Sequence, residues 1–124
     1  MIQGYQDLEV YQRAYKLALE VHRITQTFPS SERHELGSQI RRAAISIVLN
    51  IAEGYGRKDS PAEFKHFLRN ALGSCNEVRV LINITADLGY LNPEQHLTLG
   101  QEYTILGKQI YRLKEAWTKK QSDI

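Results

Sequence analysis

Residues 39–69 read QIRRAAISIVLNIAEGYGRKDSPAEFKHFLR, and they combine the most apolar helical segment of the chain with a glycine-rich end and a basic turn. Between residues 43 and 52 the only polar side chains are Ser46 and Asn50, which is typical of a helix that is apolar on almost every side. A single neighbouring helix cannot cover so wide an apolar surface. We therefore predict that this helix lies at the centre of a bundle or is shared with another copy of the chain.

Length and composition are typical of one globular domain. The chain has 124 residues, of which 42% are hydrophobic and 24% charged. Its formal net charge is only +2, so the charge of the whole chain does not indicate a nucleic-acid partner. Cys75 is the single cysteine, which excludes a disulfide within the chain, and its apolar surroundings predict a buried thiol.

The N-terminal segment does not resemble a secretory signal. Residues 1–10, MIQGYQDLEV, have neither a basic region nor an apolar run. The longest apolar run in the chain is far shorter than the roughly 20 residues that a membrane span needs. We therefore expect no membrane segment and a cytoplasmic location in a bacterial-type cell.

Helical periodicity extends over nearly the whole chain. Apolar residues recur at steps of three and four over about residues 7–28, 31–55, 60–88 and 92–118, and no segment alternates for long enough to predict a strand. Pro29 is expected to end the first helix, and Gly54 and Gly56 the second. Because the connections are short, the sequence predicts an all-α, up-down-up-down antiparallel four-helix bundle, with residues 1–124 forming one domain. The excess apolar surface of the second helix adds the expectation that the protein is oligomeric.

Specific residues predict where three of the helices begin. Asp7 can cap the first helix. Residues 60–63, Ser-Pro-Ala-Glu, have the cap, the proline and the acid of a full capping box, and residues 92–95, Asn-Pro-Glu-Gln, form a second one. Gly73 lies inside the third helix, where a glycine lowers helix stability by about 1 kcal/mol relative to alanine. A glycine kept there in spite of this loss indicates a close helix crossing at that point.

Residue patterns typical of enzymes are missing from the sequence. A di-metal carboxylate site in a four-helix bundle needs two Glu-x-x-His pairs, and the chain has only Glu63 with His66. No GxSxG, P-loop or CxxC motif occurs. We therefore predict no metal, no cofactor and no enzymatic activity, and we identify no small-molecule substrate.

A narrow polar line crosses the apolar helices and allows two interpretations. The line includes Asn50 and Glu53 on the second helix and Ser74 and Glu77 on the third. In the first interpretation these residues form a structural polar core in which arginines pair with the glutamates. In the second, two buried carboxylates lie close together and one serves as a catalytic acid. The arginines available for pairing are Arg41, Arg42 and Arg79.

Cations concentrate around the connection between the second and third helices. Such a patch can pair with phosphates in a strongly salt-dependent way. Because no stacking aromatic residues are interleaved with the patch, we expect backbone contact without base readout. The alternative is an ordinary solvated surface. The predicted nucleic-acid-binding residues are Arg57, Lys58, Lys65, Arg69, Arg41, Arg42 and Arg79.

Several short motifs in this order resemble the 23S ribosomal RNA intervening-sequence protein family. The resemblance covers about residues 5–117, and its most specific pieces are Gln-x-Arg-Arg-Ala at residues 39–43 and Asn-Ile-Ala-Glu-Gly at residues 50–54. Further matching pieces are Asp-Leu-Glu-Val-Tyr at 7–11, Phe-Pro at 28–29, Glu-Leu at 35–36, the capping segment at 60–67, Gly-Ser at 73–74 with Glu77, and Leu-Gly-Tyr at 88–90.

The resemblance implies a four-helix bundle that assembles as a ring-like homopentamer, with no enzymatic activity attached to the fold. The family includes proteins encoded within insertions in bacterial 23S ribosomal RNA genes. It also includes the accessory variability determinant of diversity-generating retroelements, a basic pentamer that binds nucleic acid and the retroelement reverse transcriptase. This chain differs from that relative in being nearly neutral overall.

Three functional hypotheses follow from the sequence. The first is a non-enzymatic oligomeric module that binds structured RNA or DNA, a ribonucleoprotein or a reverse transcriptase through the basic patch. The second is an interaction scaffold that recognises only protein. The third is a small enzyme that uses Glu53 and Glu77, and it requires both carboxylates to line one cleft.

Overall fold

Residues 1–118 are described by the computed structural model, and they contain helices and turns but no strand. A short 3₁₀ turn at Tyr5–Asp7 precedes five α-helices, of which the second has only five residues. The helices are α1 (Glu9–Thr25), α2 (Ser30–His34), α3 (Leu36–Gly56), α4 (Pro61–Asp87) and α5 (Pro93–Ala116). The chain is therefore all-α with four long helices.

The four long helices enclose one apolar core. Helix α3 packs against α1 and α4, and α5 packs against the same two helices, so α3 and α5 occupy opposite corners. Each helix contributes apolar residues at helical spacing on one side, as α1 does with Val10, Ala14, Leu17, Val21 and Ile24. The largest fully buried apolar and aromatic side chains are those of Tyr103, Phe64, Ile47, Ile51, Leu68, Ile82, Leu106 and Ile110.

The helix predicted over residues 31–55 is divided at Glu35, whose backbone angles of φ −97° and ψ −92° are not helical. The side chain of Arg41 replaces part of the lost hydrogen bonding. Its Nη2 donates to the carbonyl oxygen of Arg33 at 2.9 Å, and its Nη1 donates to Thr25 Oγ1 at 2.8 Å. Arg41 thus ties α2 to the end of α1, a long-range contact that local sequence patterns do not encode.

The predicted caps are realised to different degrees. At α5 the capping box is confirmed, because Gln95 N–H donates to Asn92 Oδ1 at 2.7 Å and Asn92 N–H donates to Gln95 Oε1 at 3.0 Å. At α4 only half of the box forms. Glu63 N–H donates to Ser60 Oγ at 3.2 Å, whereas the Glu63 carboxylate accepts from Arg57 Nη1 at 3.3 Å. The expectation of a full box at residues 60–63 was wrong because Arg57 competes for the acid.

The start of α1 also differs from the prediction. The Asp7 carboxylate accepts hydrogen bonds from the N–H groups of Gln3 and Gly4 at 2.8 and 3.3 Å, so it closes the preceding 3₁₀ turn. Leu8 occupies the N-cap position of α1 and makes no side-chain cap. At the other end, α1 stops at Thr25, and residues 26–28 form a turn before Pro29.

Gly54 and Gly73 have roles opposite to those predicted. Gly54 does not end α3 but lies inside it, where a Cβ atom would be 2.8 Å from Phe67 Cβ and 2.9 Å from Phe64 Cδ1. Apart from its chain neighbours and the backbone of its own helix, Gly73 has no atom within 4 Å of the position of a Cβ, so no helix crosses there. The close approach of α3 and α4 occurs at Gly54.

Within residues 1–118 no helix combines the length and the apolar character needed to cross a bilayer.

Gly54→Ala should destabilise the fold by about 1–3 kcal/mol, because the added methyl group overlaps two phenylalanine side chains and this cost exceeds the gain in helix propensity. The matched control is Gly73→Ala, which adds a methyl group to open space in a helix and should stabilise by about 0.5–1 kcal/mol. Urea denaturation followed by circular dichroism measures both. Equal stabilisation by the two substitutions would show that Gly54 is not a point of close packing.

Cys75 should react with an aromatic disulfide reagent only when the chain unfolds. Its side chain is buried, its Sγ donates to the carbonyl oxygen of Tyr103 at 3.3 Å, and burial raises the pKa of the thiol to about 11. At pH 8 the thiolate population is therefore very small. Release of the coloured thiol should be slow in buffer and fast in denaturant, and equal rates in the two would contradict the burial of Cys75.

Candidate functional site

Arg57, at the centre of the predicted basic patch, is paired with carboxylates. Its Nε and Nη2 donate to Glu53 Oε1 at 3.0 and 2.9 Å, and its Nη1 lies 3.3 Å from Glu63 Oε1. The guanidinium carbon also lies 5.2 Å from the centroid of the Phe67 ring. Two carboxylates raise the pKa of Arg57 chiefly through these hydrogen bonds and offset its positive charge.

The other cations of the patch lie at the turn and along the first turns of α4. Lys58 Nζ lies 5.7 Å from the centroid of the Tyr55 ring. The hydrogen bond and the charge of Lys114 lower the pKa of Glu115 on α5, and the charge of Lys65 adds a smaller effect in the same direction. Arg69 is exposed one turn further along α4. Lys65 and Arg69 therefore lie one turn apart on the same side of α4, whereas Arg57 is paired with carboxylates at the turn.

The three remaining arginines of the predicted set lie away from that turn, Arg41 and Arg42 next to each other near the start of α3 and Arg79 on α4. Arg41 is half-buried and holds α2 in place, as described above. Arg42 is exposed beside the outer surface of α3, and Arg79 is exposed beside the space between α4 and α5. In residues 1–118 none of the three makes an ion pair, so they are not the internal partners of Glu53 and Glu77.

Part of the predicted polar core exists as a hydrogen-bonded cluster between α3 and α4. Ser46 Oγ lies 2.8 Å from Ser74 Oγ, and Asn50 Nδ2 donates to the carbonyl oxygen of Ser46 at 2.8 Å and to Ser46 Oγ at 3.1 Å. Glu53 and Glu77, in contrast, are exposed. Their placement in a polar core was wrong, because α3 and α4 turn only their smaller polar side chains towards each other.

The two glutamates also do not meet the requirement of the catalytic hypothesis. Glu53 borders a groove beside α3 and is paired with Arg57, whereas Glu77 does not line that groove. In the described part of the chain no three His, Cys, Asp or Glu side chains are grouped so that they could hold a metal ion. The carboxylates therefore offer no shared site at which a substrate could bind.

The outer surface of α3 is apolar and uncovered by the other helices. Ile45 is 48% exposed and Leu49 is 62% exposed. They lie one helical turn apart, between Arg42 at one end and Glu53 at the other. We call this row, Arg42, Ile45, Leu49 and Glu53, the α3 stripe. Its apolar centre agrees with the excess of apolar surface that the sequence indicated.

A second apolar surface, between α4 and α5, was missed by the sequence analysis. Leu97 and Ile105 are 61% and 41% exposed, and Gly100 lies between them on α5. Val80 and Ile84 on the outer side of α4 are also exposed. The α4–α5 groove is lined by Arg79, Asn83, Pro93, His96, Leu97, Gly100, Gln101, Glu102, Thr104 and Ile105.

The sequence also carries a signal for exposed apolar surface on α4, outside the residues that line the groove. Val80 and Ile84 are four residues apart, as are the buried Val78 and Ile82, so α4 carries two apolar lines rather than one. Inside the groove, His96 Nε2 and Asn83 Oδ1 are 2.9 Å apart, which joins α5 to α4. The groove is therefore a formed feature of the fold, with apolar side chains left at its edges.

Comparison with solved structures shows the same fold in another protein. A crystal structure of a protein of unknown function from the S23 ribosomal protein family of Bacteroides thetaiotaomicron has a TM-score of 0.78 to this chain at 20% sequence identity. The match covers 86% of this chain and 96% of that chain. No curated protein matches the chain.

The sequence model of one protein family matches most of the chain. That family is described as 23S rRNA-intervening sequence protein, and the match spans residues 6–112. This range includes the motifs between residues 7 and 90 on which the resemblance was based. The matched region contains α1 to α4 and most of α5. The chain belongs to the 23S rRNA-intervening sequence protein family.

Proposed function

We propose that the protein is a non-enzymatic, cytoplasmic, homo-oligomeric helical bundle whose assembled form binds structured RNA or DNA, a ribonucleoprotein or a reverse transcriptase. The observation that carries the proposal is the α3 stripe, in which Ile45 and Leu49 remain 48% and 62% exposed on the isolated chain. Two large apolar side chains one turn apart favour contact with another molecule. By resemblance to the family, the assembly is a homopentamer.

The arrangement of the helices supports a bundle of the up-down-up-down kind. Only residues 57–60 separate α3 from α4, and only residues 88–92 separate α4 from α5. Connections of this length favour antiparallel neighbours. In this arrangement all four long helices use their core-facing sides within one chain, and α3 has one apolar side left for a second chain.

Nucleic-acid binding is supported by the exposed arginines rather than by Arg57. Arg42, Arg69 and Arg79 are exposed and make no ion pair within residues 1–118, so a phosphate group need not displace a carboxylate from them. Arg57 is already paired with Glu53 and Glu63. In an oligomer each such arginine is repeated, and repeated weak contacts to one RNA add to its affinity.

A protein-only interaction scaffold is the second candidate. The observation that favours it is the balance of charge around the turn between α3 and α4, where Glu53, Asp59 and Glu63 accompany Arg57 and Lys58. A surface of mixed sign attracts a polyanion weakly. A partner captured equally well before and after nuclease treatment would favour this candidate over nucleic-acid binding.

If the protein is an oligomer, light scattering during size-exclusion chromatography should give a molecular mass well above the 14.3 kDa of one chain. The double substitution Ile45→Glu with Leu49→Glu should reduce the mass to that of one chain, because carboxylates do not fit an apolar contact. Leu19→Glu is the matched control, since Leu19 is 58% exposed on α1 and lies outside both apolar surfaces. A wild-type chain that is monomeric at working concentration would contradict the proposal.

If the protein binds RNA through phosphate contacts, its affinity for RNA should fall steeply as the salt concentration rises. Fluorescence anisotropy with a labelled structured RNA should show an affinity at least tenfold lower at about 200 mM than at about 50 mM salt. Arg69→Ala should weaken binding and reduce the salt slope by about 0.9. Arg23→Ala is the control because Arg23 is paired with Glu20 on α1. Equal binding at both salt concentrations, or no effect of Arg69→Ala, would count against phosphate contacts at α4.

A further inference from the structure

We propose that the protein binds an unpaired segment of nucleic acid on the side of the bundle where α4 meets α5, with its phosphates on cations of α4 and one base stacked on Tyr111. This inference rests on the nucleic-acid binding proposed above, and it specifies the form of nucleic acid that is bound and the residues that bind it. The surface lies on the α5 side of α4, and α3 and α5 occupy opposite corners of the bundle. Contacts made through the α3 stripe therefore leave it accessible.

The side of α4 that faces α5 is lined with cations. Asn83 Oδ1, which lies 2.9 Å from His96 Nε2 on α5, marks one end of this side. Steps of three and four residues follow one side of a helix, and they lead from Asn83 back to Lys65. The positions reached are Asn83, Arg79, Asn76, Leu72, Arg69 and Lys65, which include no acid. We call Lys65, Arg69 and Arg79 the cationic strip.

The cationic strip can accept phosphates without displacing a carboxylate. Arg69 and Arg79 are exposed, and within residues 1–118 no member of the strip makes an ion pair. Arg57, in contrast, is held by two glutamates at the turn before α4. Lys65 and Arg69 lie about 6 Å apart along the helix axis, and Arg79 extends the strip to about 21 Å. A strip of this length can follow several phosphates of one strand.

Contacts between α4 and α5 place Arg69 at the level of Tyr111. As the residue number rises along α4, the number of the neighbouring residue falls along α5. Arg69 lies one turn beyond Lys65, and Tyr111 lies one turn before Glu115, so the two side chains are at the same height of the bundle. The neighbouring pairs that set this register are Lys65 with Glu115, Cys75 with Gly107 and Asn83 with His96.

The ring of Tyr111 is available for stacking. It is 54% exposed, and Lys114 Nζ lies over it at 5.2 Å from the centroid. A cation over one face of a planar ring leaves the other face open. Side chains of a helix tilt towards its N-terminus, and the residue one turn earlier, Gly107, has no side chain that could cover the ring. An aromatic surface therefore lies beside the cationic strip.

An exposed ring beside unpaired cations is the combination that single-stranded nucleic acid requires. Bases stack on aromatic side chains with little sequence preference, while cations hold the backbone. A base inside a duplex is already stacked and paired, so only an unpaired base can reach Tyr111. The structure thus adds a base contact that the sequence analysis did not expect, because Tyr111 and the cationic strip belong to different helices.

Labelled probes of equal length separate base contact from phosphate contact. They are oligoadenylate of about 12 nucleotides, its duplex with the complementary strand, and an abasic oligomer that has the phosphate backbone without bases. In fluorescence anisotropy at about 50 mM salt, oligoadenylate should bind about tenfold more tightly than the abasic oligomer. The matching deoxyribose strand should bind within about threefold of oligoadenylate, because neither stacking nor phosphate contact reads the 2′-hydroxyl group.

Tyr111→Ser should lower the affinity for oligoadenylate about tenfold and leave the affinities for the duplex and the abasic oligomer unchanged. Tyr111→Phe keeps the ring and should bind like the wild type. Lys65→Ala combined with Arg69→Ala should weaken the binding of every probe and reduce its salt dependence. Tyr15→Ser is the matched control, since Tyr15 is 48% exposed on α1 and lies away from the cationic strip.

Circular dichroism confirms that each variant is folded, and Tyr111→Leu replaces Tyr111→Ser if the latter is not. Equal wild-type affinities for oligoadenylate and the abasic oligomer, or an equal loss for all probes in Tyr111→Ser, would overturn the inference and leave phosphate binding intact. Displacement of oligoadenylate by polyglutamate as effectively as by unlabelled oligoadenylate would also overturn it, in favour of an acidic protein segment. A wild type that binds none of the probes would contradict the proposed nucleic-acid binding itself.

Discussion

The close contact between α3 and α4 determines which side of α3 remains available to other molecules. Gly54 lets the side chains of Phe64 and Phe67 approach α3, and about two turns earlier the hydroxyl groups of Ser46 and Ser74 are hydrogen-bonded. With one side of α3 fixed against α4 and the next side covered by α1, Ile45 and Leu49 have no helix of their own chain to pack against. The fold of one chain therefore leaves an apolar surface that favours assembly.

The same end of the bundle combines rigid aromatic packing with a surface of mixed charge. The Phe64 and Trp117 rings lie 4.7 Å apart in an edge-to-face arrangement, and Tyr55 packs against both. Around them Arg57 is paired with two glutamates, but ion pairs that are this exposed contribute little to stability. A phosphate group could therefore replace a carboxylate at small cost, while the net attraction of this surface for a polyanion stays low.

Membership in the 23S rRNA-intervening sequence protein family and the likeness to the Bacteroides thetaiotaomicron structure agree on the fold. A fold does not imply a function, and function must be argued from sites. In this chain the most developed sites are surfaces, the α3 stripe and the α4–α5 groove, rather than a cleft with grouped reactive side chains. That distribution is the physical reason for proposing an assembly and binding role.

Periodic apolar residues and capping motifs were sufficient to identify the four long helices, the buried thiol of Cys75 and the capping box at Asn92, because these features depend on neighbours along the chain or on one face of one helix. Contacts between distant residues decided the rest. The break between α2 and α3 is bridged by Arg41, which contacts Thr25 and Arg33, and Gly54 serves packing because α4 lies against it. The exposure of Glu53 and Glu77 follows from how α3 and α4 are rotated about their axes, and periodicity does not fix that rotation when a helix is apolar on two sides.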